Sequence, residues 1–89
     1  MPPATRVLVT GYAGFAGRHL IPLLEAEQCQ VWGLDRVPHG ASAALLPAVV
    51  PGAGTYVGDI TDLDLLRHIV DEVQPEFVVH LAAITSGRP

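Results

Sequence analysis

A length of 89 residues, 49% of them apolar, with a formal net charge of −4, suits one small globular domain. The acidic balance, with no basic cluster, argues against nucleic acid as a partner, and no apolar run approaches the length of a membrane span. Cys29 is the sole cysteine, which excludes a disulfide framework and a cysteine-based metal site.

The opening MPPATR is too short and too polar for a signal peptide, so the cytoplasm is the expected compartment. A chain of this size buries only about 60–65% of its unfolded surface, so marginal stability is expected. No lysine occurs anywhere. The basic residues are all arginines: Arg6, Arg18, Arg36, Arg67 and Arg88.

Residues 1–5 read as a lead-in kept extended by Pro2 and Pro3. Residues 6–10 (RVLVT) carry a short apolar run, as a strand buried on both faces would. Gly11, Gly14 and Gly17 follow at a spacing of three. A helix is predicted over residues 14–27, with Leu20, Leu23 and Leu24 on one side. Pro22 falls inside it and predicts a kink or a local loss of hydrogen bonding.

Residues 30–34 (QVWGL) read as a second strand with Asp35 at its tip. Residues 36–54 are broken by glycine and proline, with room for a short helix over 41–46. A third strand spans 55–57 and leads to Gly58 and Asp59. Thr61 or Asp62 then caps a helix whose inward face carries Leu63, Leu66, Ile69, Val70 and Val73, and Pro75 stops it. Residues 77–81 (FVVHL) form a fourth strand, and 82–89 run out as loop. Trp32 and Phe77 are core candidates, and Cys29 reads as a small packing residue.

Strands alternating with helices predict an α/β fold of parallel β-α-β units with right-handed crossovers. The expected strand order is 3-2-1-4. The glycine turn then sits at the carboxyl end of strand 1, where the order reverses and ligands bind.

Strand, glycine turn and helix together suit an anion. Gly11 permits a sharp turn, Gly14 leaves room for a diphosphate against backbone, and Gly17 lets the helix lie close. Free N–H groups of the first helical turn and the helix dipole favour negative charge, the dipole by about 0.3–1 kcal/mol. The spacing G-x-x-G-x-x-G also suits a plain strand-to-helix turn.

Asp35, 24 residues after Gly11, is placed to accept from adenosine ribose hydroxyls. A carboxylate there repels a 2′-phosphate and favours NAD over NADP, although Arg36 beside it is either a surface charge or a phosphate partner. Asp59 and Ile60 either meet an adenine ring or begin the next helix. His80, within the fourth strand, reads as structural. His19, His39 and His68 share no metal-ligand spacing, so no metal site is expected. Thr85 and Ser86 are either substrate hydroxyls or plain loop polarity.

Four motifs fall in one order: VTGYAGFAG at residues 9–17, LDR at 34–36, GDITD at 58–62 and HLAA at 80–83. Together they resemble the amino-terminal part of the extended short-chain dehydrogenase/reductases, the NAD-dependent epimerase/dehydratase family. TGYAGFAGRHL and PEFVVHLAA look similar to GDP-mannose dehydratases and GDP-4-keto-hexose reductases, or to dTDP-glucose dehydratases.

The resemblance implies a partial Rossmann-type sheet flanked by helices. It implies that Gly11, Gly14 and Gly17, with Tyr12, Phe15 and Ala16 between them, carry the cofactor diphosphate. It implies Asp35, with Arg36 beside it, at the adenosine ribose, Asp59 and Ile60 at adenine, and Leu81, Ala82 and Ala83 beside the cofactor. NAD is the implied cofactor, and a nucleotide sugar the substrate of a full-length enzyme. The family's catalytic Tyr-x-x-x-Lys and Ser or Thr lie downstream of the HLAA strand. These 89 residues hold no such motif: Tyr12 and Tyr56 have no lysine four residues on. The chain reads as the amino-terminal part of a cofactor domain, without catalytic or substrate regions. Alternatively, it is a non-catalytic module completed by a partner chain. An open edge at the fourth strand invites pairing, including homo-oligomerisation.

Overall fold

The valine–leucine–valine run of the first strand lies at the centre of the molecule. A computed structural model describes residues 4–36 and 50–81. Six elements alternate there: β1 (Arg6–Thr10), α1 (Phe15–Ala26), β2 (Gln30–Asp35), β3 (Gly54–Val57), α2 (Leu63–Val73) and β4 (Phe77–His80). The strands form one parallel sheet in the order β3-β2-β1-β4. This is the Rossmann-type order the alternation predicts. The short helix expected over 41–46 and the loop over 82–89 lie outside the described residues.

Side chains on a strand alternate between faces, so β1 feeds two cores. Val7 and Val9 pack with Tyr12, Ile21 and Val31 on the α1 side. Leu8 packs with Leu34, Ile69 and Val73 on the α2 side. Cys29 joins the first cluster from its rim, and Trp32 the second, both partly buried.

Helix α1 buries Gly17 and Ile21, with Leu20 and Leu24 at their flanks. Leu23, expected inward, is exposed instead. Contact is centred on Gly17, and one helical turn from it comes Ile21; Leu23 is rotated to the outer side. The helix runs through Pro22, which is exposed and gives no N–H to the carbonyl of Arg18.

Helix α2 starts at Asp62, whose side chain accepts from the Leu65 N–H at 3.1 Å, so Asp62 and not Thr61 is the cap. It ends at Gln74, held in the left-handed region (φ 53°) with its N–H donated to the Val70 carbonyl. Ile69 and Val73 are buried and Leu65 and Leu66 half-buried, while Leu63 and Val70, expected inward, are exposed. The inward stripe follows 65, 66, 69 and 73, and a helix only this wide cannot turn positions 63 and 70 to the same side.

Strand β4 lies at the sheet edge. Phe77, expected in the core, is 62% exposed at this edge, while Val79, two residues on, packs partly buried against the α1-side cluster. The start of β1 is tied to the approach to β4. The Arg6 N–H donates to Glu76 Oε1, and its Nε–H to the Gln74 carbonyl at 2.8 Å. No described helix is long and apolar enough to cross a membrane.

Candidate functional site

The carboxyl ends of β1, β2 and β3 meet at one edge of the sheet, and β1 there has β2 on one side and β4 on the other. That is the order reversal at which open α/β sheets leave a crevice. The glycine turn occupies it.

Each of its glycines has a different reason. Gly11 has φ 72°, a conformation that side-chain-bearing residues seldom adopt. A Cβ on Gly17 would lie 2.1 Å from the Tyr12 carbonyl oxygen, which is backbone and cannot swing aside. Gly14 is extended (φ −81°, ψ −177°), and a Cβ there would meet nothing nearer than the Gly11 oxygen at 3.6 Å. The chain's own packing therefore does not demand glycine at position 14. Helix α1 begins there with no side-chain cap and no acid in its first turn. Helix geometry provides no acceptor for the N–H groups of Phe15, Ala16 and Gly17. Phe15 and Ala16 are exposed, and the Phe15 ring stands edge-on to His19 with centroids 4.6 Å apart.

The turn is held from β2. The Gly11 N–H donates to the Leu34 carbonyl at 2.7 Å. Asp35 accepts from the Ala13 N–H through Oδ2 at 3.1 Å and from the Arg36 N–H through Oδ1 at 2.7 Å. The Tyr12 side chain is buried, with its ring against Gly33, where a Cβ would come within 2.5 Å of it. Burial chiefly raises the Tyr12 phenol above its ordinary pKa, with Thr55 opposing and the Asp35 charge reinforcing. Tyr12 thus contributes its ring to the core and leaves only backbone for a ligand. Gly33 and Ala13 were not evident as site residues. A glycine inside a strand is the signal that something approaches closely, and here that something is the Tyr12 ring.

Asp59 lies beyond the end of β3. Its Oδ1 accepts from both the Thr61 N–H (2.9 Å) and the Thr61 hydroxyl (2.8 Å). The Thr61 backbone bond is the chief reason its carboxyl is held below the ordinary range, and the Arg36 charge adds to it. The Asp59 carbonyl accepts from the Asp62 N–H, so this residue builds the turn that starts α2. Ile60 is half-buried against the Leu8–Leu34–Ile69 cluster. The His80 Nδ1 lies 3.1 Å from the hydroxyl of fully buried Thr10, which links β4 to the residue before the glycine turn. Leu81 packs on the α1-side cluster, and its N–H donates to the Thr10 carbonyl. Ala82 and Ala83, with Thr85 and Ser86, lie outside the described residues.

Residues 7–89 match the model of a family described as the NAD dependent epimerase/dehydratase family. The chain belongs to this family. It is 38% identical over 87 residues to UDP-glucuronate 4-epimerase 2 of Arabidopsis thaliana, covering 92% of this chain and 20% of that protein. It is 43% identical over 79 residues to a 3 beta-hydroxysteroid dehydrogenase/Delta 5-->4-isomerase of Mycobacterium tuberculosis, covering 89% of this chain and 19% of that protein. Among solved structures, it superposes with a TM-score of 0.71 and 31% identity on UDP-glucose 4-epimerase from Brucella ovis in complex with NAD, covering 88% of this chain and 22% of that one. The chain spans about a fifth of the length of these relatives. It corresponds to the amino-terminal part of their fold.

Proposed function

We propose that this chain supplies the ADP-binding part of an NAD site within a nucleotide-sugar epimerase, dehydratase or reductase. The observation that carries this is Gly14. Gly11 and Gly17 are required by the chain's own geometry, whereas the space over Gly14 is open at the start of a helix with no side-chain cap. A glycine that the fold does not need, beside unfilled N–H donors, suits close approach of a diphosphate.

On this reading the N–H groups of Phe15, Ala16 and Gly17 meet the diphosphate, and Tyr12 offers backbone alone. Asp35 accepts from the ribose hydroxyls and repels a 2′-phosphate, which favours NAD over NADP. Asp59 and Ile60 border the adenine side, Arg36 stands beside Asp35 at the ribose, and Leu81, Ala82 and Ala83 border the cofactor. In a whole enzyme NAD would supply a hydride acceptor. This chain's residues bind and orient its ADP half. The likeness to relatives named for a sugar nucleotide and for a steroid supports the cofactor-site part of this reading. What two such enzymes share over this stretch is more readily a cofactor site than a substrate site.

Titration calorimetry of the chain with NAD, NADP and ADP-ribose tests this. ADP-ribose is expected to match NAD within about threefold, or about 0.7 kcal/mol, with NADP weaker. Absence of binding by both NAD and ADP-ribose refutes the reading, and tighter NADP than NAD reverses the cofactor assignment in favour of Arg36.

Among the described residues β4 is an edge strand with Phe77 and Val78 exposed, which supports a second reading: a non-catalytic nucleotide-binding module whose sheet a partner chain completes. Sedimentation of the isolated chain tests self-pairing, and a monomer at all concentrations counts against a second copy as that partner.

A further inference from the structure

We propose that Asp35 is a positioning residue for the phosphate turn as well as an acceptor for ribose hydroxyls. This rests on the nucleotide-site reading above. Three consecutive residues of β2 hold three consecutive residues of the turn. The Leu34 carbonyl takes the Gly11 N–H, Gly33 makes room for the Tyr12 ring, and the Asp35 carboxylate takes the Ala13 N–H. The first two are a backbone bond and a steric fit. The third is a side-chain bond with a charged acceptor, the stronger kind of hydrogen bond.

The turn needs such a tie. Gly11 and Gly14 bracket it, and glycine loses more conformational freedom on ordering than any other residue. A turn left loose would pay that entropy when the ligand binds; one already ordered binds more tightly. Asp35 also accepts the Arg36 N–H, so its carboxylate is fixed from its own strand while it holds Ala13. The Ala13 N–H is thereby turned toward β2, and the diphosphate is left to the first-turn N–H groups of α1. Loss of the Asp35 carboxylate therefore weakens binding even of a nucleotide that has no ribose hydroxyls to offer.

The test compares ADP with 2′,3′-dideoxy-ADP on the wild-type chain, Asp35→Ala and Asp35→Asn by calorimetry. Amide hydrogen exchange at Ala13 is read alongside. Asp35→Ala is expected to weaken dideoxy-ADP by about tenfold and to speed Ala13 exchange. Asp35→Asn keeps a carbonyl oxygen for the Ala13 N–H, and is expected to restore dideoxy-ADP affinity and Ala13 protection while ADP stays weakened. Unchanged dideoxy-ADP affinity in Asp35→Ala overturns the proposal and leaves Asp35 a ribose contact alone. An equal loss of both ligands in Asp35→Asn also overturns it, and this arm decides the matter if Asp35→Ala does not fold. Failure of the wild-type chain to bind either ligand removes the nucleotide-site reading itself, and the positioning role with it.

Discussion

Gly17→Ala is the substitution whose consequence the structure fixes most tightly. An added Cβ would lie 2.1 Å from the Tyr12 carbonyl oxygen and 2.6 Å from the Tyr12 carbonyl carbon and Cα. All three atoms are backbone, and the turn that holds them is itself fastened to β2. Helix α1 must therefore move outward by roughly 1 Å, opening its contacts through Ile21 and Leu24. Overpacking of this kind costs about 1–3 kcal/mol, with more where nothing yields. Alanine returns up to about 1 kcal/mol through its better helix propensity. Because every obstructing atom is backbone, the cost lies at the upper end of that range and the expected net loss is about 2 kcal/mol, a large share of the roughly 4–13 kcal/mol a chain of this length has. In urea, with m about 1–2 kcal/mol/M, the midpoint should fall by about 1–2 M. Gly14→Ala is the control. Its Cβ meets only ordinary contact at 3.6 Å, so stability should change by less than about 1 kcal/mol, the scale of an N-cap preference. Its affinity for ADP-ribose should fall. A Gly17→Ala midpoint equal to or above that of the wild type would refute the close approach of α1 to the turn.

Asp62→Ala removes the α2 cap and should cost about 1 kcal/mol, read as a lower urea midpoint with unchanged m. The Tyr56 phenol is pushed up from 10.0 to about 12, first by burial and then by its hydrogen bond to Glu72 and the Glu72 charge. Because the folded state holds this proton more tightly, the associated stability is full below pH 10 and is lost as pH rises from about 10 to 12. Tyr56→Phe should flatten that part of the stability–pH curve, and an unchanged curve would remove Tyr56 as its source. Thr61→Ala removes the hydroxyl donor to Asp59 but keeps the N–H, so the Asp59 pKa should rise part of the way toward the ordinary carboxylate value. Carboxyl carbon shifts in an NMR titration measure this, and no rise would remove the Thr61 hydroxyl as a cause of the lowering.

The site was legible where one residue type has one physical use. Gly11 and Gly17 could be picked out because a tight turn and a close helix both exclude a Cβ. The place of Asp35, at a strand tip on the switch-point edge, could be read from the order of elements. What it binds within the chain was not legible, since the Ala13 N–H becomes its partner only when β2 lies beside β1. Tyr12 shows the same limit. Its place in the glycine motif suggests a ligand contact, yet its ring turns inward because Gly33 on the neighbouring strand leaves a hole for it. Ile60 likewise sits beside a candidate ligand residue and packs half-buried against the α2-side core.

By itself the sequence determined the order of elements, the parallel sheet and the place of the glycine turn. Those follow from local periodicity, from the handedness of crossovers between strands of L-residues, and from the few conformations only glycine can adopt. Only the tertiary structure decided which faces are buried and which groups meet. Ile21 is inside and Leu23 outside because α1 touches down at Gly17. Phe77 is exposed because its strand lies at the edge of the sheet. The Ala13 N–H meets Asp35 because β1 and β2 pair with Thr10 opposite Leu34. Each depends on the relative placement of elements distant in the chain, which no local pattern of residues encodes.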